Sequence, residues 1–132
     1  MTDCIFCKII AGDIPSYTIY EDDDVLAFLD ITQTTKGHTL LIPKKHADNL
    51  LEMPADDVSV LFSKVPALAK QLTEKLGATG LNLLQNNTEI AGQSVFHTHI
   101  HLIPRYAKND DFAFNFTEHT LDLKAIQDTI TA

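Results

Sequence analysis

Three histidines at alternate positions, His97, His99 and His101, followed by Leu102 and Ile103, constrain this chain more than any other feature of its sequence. A period of two belongs to an extended strand, in which successive side chains point to opposite faces. One face then carries the three imidazoles, neighbours about 6–7 Å apart, while Thr98, Ile100 and Leu102 face a core. Imidazoles pack poorly in a row, because each brings two ring nitrogens that need partners. The row therefore points to chemistry. A compact three-histidine metal site is excluded on such a strand: the outer two ligands lie about 13 Å apart, beyond what metal–nitrogen bonds of about 2 Å can gather. The histidines are expected to do separate jobs.

The rest of the chain supplies a sheet for this strand. Ser16–Glu21 and Val25–Leu29 flank the turn Asp22-Asp23-Asp24 as a hairpin, and Thr39–Ile42 and Gly80–Gln85 read as further strands. Val95–Pro104 is the fifth. Pro54-Ala55-Asp56-Asp57 opens a long helix whose apolar face runs from Val58 to Leu76, with Pro66 kinking it and Gly77 closing it. Leu121–Ile130 forms a short helix with Leu123, Ile126 and Ile130 on one side. The pattern predicts an α+β fold: one domain over residues 1–132, a mainly antiparallel five-stranded sheet, one long helix and one or two short ones.

Charge and composition narrow the partners. A net charge of −8 argues against nucleic acid, whose binders are basic. No apolar run approaches the roughly 20 residues of a membrane span. With no signal-peptide pattern at the N-terminus, a cytoplasmic address is expected. In such a reducing compartment Cys4-x-x-Cys7 is not a structural disulfide, which leaves metal binding, redox chemistry or coincidence.

Upstream of the histidines, Ala91-Gly92-Gln93-Ser94 places a glycine, where backbone N–H groups can approach an anion, beside a hydroxyl that can donate a proton. Asn86 adds an amide donor. The run His97-Thr98-His99-Ile100-His101-Leu102-Ile103 resembles the signature of the histidine triad family of nucleotide hydrolases and transferases, with Thr98 the one loose fit. Cys4-Ile5-Phe6-Cys7, Ile14-Pro15, Ala27-Phe28-Leu29-Asp30-Ile31, Gly37-His38, Ile42-Pro43-Lys44-Lys45-His46 and Gly92-Gln93-Ser94-Val95 extend the likeness to the adenosine phosphoramidase branch. It spans residues 3 to about 105; the tail after Arg105 lies outside it.

The resemblance implies a division of roles. His99 is the nucleophile that attacks the α-phosphorus and carries nucleoside monophosphate covalently. His101 and His38 line the same pocket, supporting the phosphate and fixing imidazole orientation. Asn86, Gly92, Gln93 and Ser94 hold the phosphate, with Ser94 protonating the leaving group. Asp30 binds the ribose hydroxyls, and Phe6, Ile14, Leu29 and Ile31 form the base pocket. Imidazole suits the task, because its pKa near 6.5 leaves one nitrogen free at neutral pH.

The same resemblance pairs Cys4 and Cys7 with His46 and His97 as a Cys2His2 set, the closed type of a structural zinc. A redox Cys-x-x-Cys would need a thioredoxin-like βαβ context, which is absent. The expected activity is hydrolysis of a phosphoramidate or related bond on a purine nucleoside monophosphate, by a homodimer joined sheet edge to sheet edge. The alternatives are a dinucleoside polyphosphate hydrolase and a non-catalytic nucleotide- or zinc-binding module. A uridylyltransferase fits less well, since the third triad position is glutamine there and histidine here.

Overall fold

A computed structural model of the chain describes residues 3–110 and 112–132. Its elements in order are α1 (Ile5–Ala11), β1 (Thr18–Glu21), β2 (Val25–Leu29), β3 (Thr39–Pro43), α2 (Ala55–Ser63), α3 (Val65–Leu76), β4 (Gly80–Leu84), β5 (Ile100–Arg105) and α4 (Leu123–Thr131), with short 3-10 turns at Leu50–Glu52 and Glu89–Ala91. The five strands form one sheet in the order β1-β2-β3-β5-β4, antiparallel throughout.

Side-chain parity divides the sheet into two faces. Val25, Ala27, Leu41, Ile100 and Leu102 point one way and pack under Leu61, Val65, Leu68 and Leu72 of α2 and α3. Leu26, Phe28, Leu40 and Ile42 point the other way and pack against Phe6 of α1. The register sets Phe28 opposite Leu40 and Leu40 opposite His101, so the second face carries His101 in line with an apolar floor.

Four expectations need correction. Residues 5–11, not assigned to an element from the sequence, form α1: the Cys4 sulfur accepts from the Cys7 N–H at its start, and Gly12 ends it with φ 84°. The long helix does not merely kink. It breaks at Lys64 into α2 and α3, because Pro66 has no N–H to donate back and fits only in a first turn. The first strand begins at Thr18 rather than Ser16. The histidine strand begins at Ile100 rather than Val95, with residues 95–97 forming a bend, so only His101 of the three histidines lies within β5.

Helix α4 stands at Leu123–Thr131 with no buried residue, and Leu123, Ile126 and Ile130 remain exposed. No helix among the described residues is long and apolar enough to cross a membrane.

One turn beside the site favours glycine. Gly37 has φ +92°, and a Cβ there would lie 2.3 Å from Leu76 Cδ1. The turn it permits carries the chain into His38 and β3, with the Gln33 side chain accepting from the Gly37 and His38 N–H groups.

Candidate active site and metal centre

Two clusters of polar side chains lie on the α1 side of the sheet, and the bend before β5 separates them. The first joins Cys4, Cys7, His46 and His97, whose ligand atoms all lie within 4.8 Å of one another. His97 Nδ1 lies 3.4 Å from Cys4 Sγ, 3.6 Å from Cys7 Sγ and 3.1 Å from His46 Nδ1, and His46 Nδ1 lies 3.4 Å from Cys7 Sγ. The partners of the opposite ring nitrogens settle the tautomers. His97 Nε2–H donates to the Pro43 carbonyl at 2.8 Å, and His46 Nε2–H donates to Asp48 Oδ1 at 3.0 Å. Both Nδ1 lone pairs therefore point inward. Burial, followed by the Cys4 neighbour, raises the Cys7 thiol. Two sulfurs and two lone pairs facing one another form a group that can hold a metal ion.

The second cluster joins Asp30, His38 and His101, also within 4.8 Å of one another, but its protons are arranged differently. The Thr34 N–H donates to His38 Nδ1 at 3.2 Å, so the proton of the neutral ring sits on Nε2. His38 Nε2–H then donates to His101 Nδ1 at 2.9 Å, with Asp30 Oδ2 at 3.6 Å, and His101 keeps its own proton on Nε2. With no lone pair on His38 Nε2, the group is a hydrogen-bond relay that ends in a donor.

His99 stands between the clusters. Its Nδ1–H donates to the His97 carbonyl at 2.8 Å, which leaves the Nε2 lone pair unprotonated. Phe6 packs edge-on at 5.2 Å and His101 at 5.0 Å between ring centroids. Burial lowers the His99 pKa, so the ring is neutral at pH 7. Burial, followed by the neighbouring His99 and His38, pushes His101 down to about 4.

These rings open on a cleft of about 440 Å³, within the range of small-ligand sites. Phe6, Ile14, Leu29, Asp30, Ile31, Ser94, His99 and His101 all line it. Asp30 Oδ1 accepts from the Thr32 N–H at 2.8 Å, so the carboxylate caps a turn while facing the cleft. His38 is buried behind His101 rather than on the cleft wall.

The loop expected to hold phosphate is arranged differently from its reading in the sequence. Of Asn86, Gly92, Gln93 and Ser94, only Ser94 lines the cleft. The Gly92 N–H donates to the Glu89 carbonyl, the Gln93 N–H to the Thr88 carbonyl, and Asn86 Nδ2 to the Gly92 carbonyl. The Gln93 side chain is turned inward and fully engaged. Sequence reasoning did not find Asn49, Gln33 and Asp48, which carry no motif of their own: Asn49 bonds the Gln93 side chain, Gln33 accepts from backbone N–H groups, and Asp48 accepts from His46.

Comparison with known proteins places this geometry in a family. The HIT domain profile matches residues 11–108. The chain belongs to the histidine triad family. "Protein hit" of Bacillus subtilis is 54% identical over 122 residues, covering 92% of this chain and 84% of that protein. Adenosine 5'-monophosphoramidase hnt1 of Schizosaccharomyces pombe is 45% identical over 102 residues, covering 77% of this chain and 74% of that protein. Among solved structures, a HIT family member from Bacillus subtilis superposes with a TM-score of 0.92 at 51% identity, covering 98% of this chain and 95% of the other. A zinc-bound histidine triad protein from Mycobacterium smegmatis superposes at 0.79 and 38% identity, covering 89% and 85%.

The depressed pKa of His101 in this histidine triad chain has a defined sign. An unfolded imidazole titrates near 6.5, so below that pH the unfolded state binds protons that the folded ring refuses. The stability contributed by the neutral ring is complete above about pH 6.5 and is lost as the pH falls toward 4. A proton NMR titration should find His101 neutral at pH 5.5 with its midpoint about 4. Urea unfolding should show less stability loss between pH 6.5 and 4.5 for His101→Gln than for the parent. A His101 midpoint near 6.5 would contradict this assignment.

Proposed function

We propose that this protein hydrolyses a phosphoramidate or related bond at the α-phosphate of a purine nucleoside monophosphate, through a nucleotidyl-histidine intermediate on His99. The observation that carries the proposal is the unprotonated Nε2 of a buried, neutral His99 at a cleft shared with Ser94 and Asp30. The likeness to the fission yeast adenosine 5'-monophosphoramidase supports the substrate class.

The chemistry follows from the protons. His99 Nε2 forms a bond to phosphorus as the bond to the leaving nitrogen breaks, and the Ser94 hydroxyl gives that nitrogen its proton. His101 Nε2–H, held by the His38 relay, donates to a phosphate oxygen as negative charge builds there. Water then attacks phosphorus, releases His99, and supplies the proton that restores Ser94. Asp30 accepts from the ribose hydroxyls, and Phe6, Ile14, Leu29 and Ile31 hold the base. Asn86, Gly92 and Gln93 serve the phosphate by shaping the loop under Ser94.

The metal in this reading is one structural zinc on Cys4, Cys7, His46 and His97. Tetrahedral bonds of about 2.05 Å to nitrogen and about 2.3 Å to sulfur put N···N pairs about 3.4 Å and N···S pairs about 3.6 Å apart. The pairs here span 3.1 Å and 3.4–3.6 Å, and the donor set is the one zinc prefers. Zinc would fix the loop ends at Cys4, His46 and His97, which lie far apart in sequence. The reduced thiols of such a site suit the cytoplasm. The sheet ends in β1 and β4, and free strand edges favour pairing with another chain, so the proposed assembly is a homodimer joined edge to edge.

Two experiments test this reading. His99→Ala should lose several orders of magnitude in turnover of adenosine 5'-phosphoramidate while still binding AMP, as expected when a nucleophile is removed; retention of even about a tenth of the parent rate would end the assignment. Elemental analysis of protein purified without chelator should give about one zinc per chain. The Cys4→Ser/Cys7→Ser double variant should lose that zinc and melt at a lower temperature, because structural zinc binding contributes folding free energy. A metal-free parent protein would remove the zinc assignment and leave the His99 one standing.

A further inference from the structure

Gln93 is 2% exposed, yet its carboxamide makes every hydrogen bond open to it. Oε1 accepts from the Thr88 N–H at 2.8 Å and from Asn49 Nδ2 at 3.3 Å. Nε2 donates to the Val95 carbonyl at 2.9 Å and to the Asp48 carbonyl. One side chain thus ties together the segment after His46, the start of the 86–93 loop, and the residue following Ser94.

The loop needs such a tie. Thr88 is the one non-glycine residue with positive φ among those described, at 74°, although its side chain is β-branched. A conformation of that kind is strained and persists only when its surroundings hold it. The bond from the Thr88 N–H to Gln93 Oε1 and the return bond from the Gln93 N–H to the Thr88 carbonyl hold it from both sides. Ser94 follows directly, with its neighbours on both sides fixed: Gln93 by Thr88, and Val95 by the Gln93 carboxamide.

We infer that Gln93 is a positioning residue, which touches no substrate and sets Ser94 where its hydroxyl can protonate the leaving group. This inference rests on the proton-donor role given to Ser94 in the proposed reaction. In that step the Ser94 Oγ–H proton passes to the departing nitrogen as the phosphorus–nitrogen bond breaks and the His99–phosphorus bond forms. The hydrolysing water later returns a proton to Ser94. A leaving group that departs as a stable anion needs no such proton, and that difference separates positioning from general structural support.

The test compares two substrates, an unactivated alkylamine phosphoramidate of AMP and the p-nitrophenyl ester of AMP. Ser94→Ala should lower kcat/KM on the phosphoramidate at least about tenfold more than on the ester, as loss of general acid catalysis does. Gln93→Met, which removes all four bonds, and Gln93→Glu, which keeps the acceptor for Thr88, should show the same selective loss. Asn49→Ala, which removes the bond at 3.3 Å, should show it at smaller size. Circular dichroism and thermal midpoints identify any variant that fails to fold, and Gln93→Glu and Asn49→Ala then carry the comparison. Equal losses on both substrates, or none, would overturn the role of Gln93. If Ser94→Ala is itself unselective, the proton donor and its positioning residue both fall. If the parent enzyme turns over neither substrate, the proposed reaction falls first.

Discussion

The hydrogen bond from His99 Nδ1–H to the His97 carbonyl determines what the rest of the site can do. A carbonyl only accepts, so the bond puts the single proton of a neutral imidazole on Nδ1 and leaves Nε2 as a lone pair facing the cleft. Without it the ring could present either nitrogen. The acceptor belongs to a residue whose own ring is held at Nε2 by the Pro43 carbonyl, which anchors the segment to the end of β3. The orientation of His99 is thereby referred back to the sheet through the His97 carbonyl, the buried His97 ring and the Pro43 carbonyl.

The same accounting separates two clusters that look alike as collections of ligand atoms. Around His97 the outer nitrogens donate to Pro43 and Asp48, and the inner ones point lone pairs at two sulfurs. Around His101 a backbone N–H occupies the outer nitrogen of His38, which reverses the ring's polarity and pushes a proton toward His101. The first arrangement can hold a cation. The second presents a hydrogen-bond donor. The difference comes from one backbone group, the Thr34 N–H, held in the turn that Gly37 permits.

Much of this was legible in the sequence, and the parts that were not share a cause. Alternation gave Ile100 and Leu102 to the core and His101 to the opposite face, because a strand's side-chain period leaves no other choice. The expectation that the histidines have separate jobs rested on the same spacing. His97 does leave the row, but through a bend at residues 95–97 that no periodicity announces. Helix α1 is seven residues long, too short for an apolar period to stand out, and a cysteine sulfur caps its start. The inward turn of Gln93 was hidden because a polar residue in a glycine-containing loop looks solvent-facing until its four partners, three of them backbone groups, are seen. Backbone partners carry no sequence signature.

The central claim is that His99 Nε2 becomes bonded to phosphorus during turnover. Rapid acid-free quenching within a single turnover, followed by intact-mass measurement and peptide mapping, tests it most directly. The account predicts one nucleoside monophosphate per active chain, attached to His99, labile to acid and absent from His99→Ala. Turnover at full rate with no adduct at any quench time, or an adduct mapped to His38, His101 or Ser94, would contradict it.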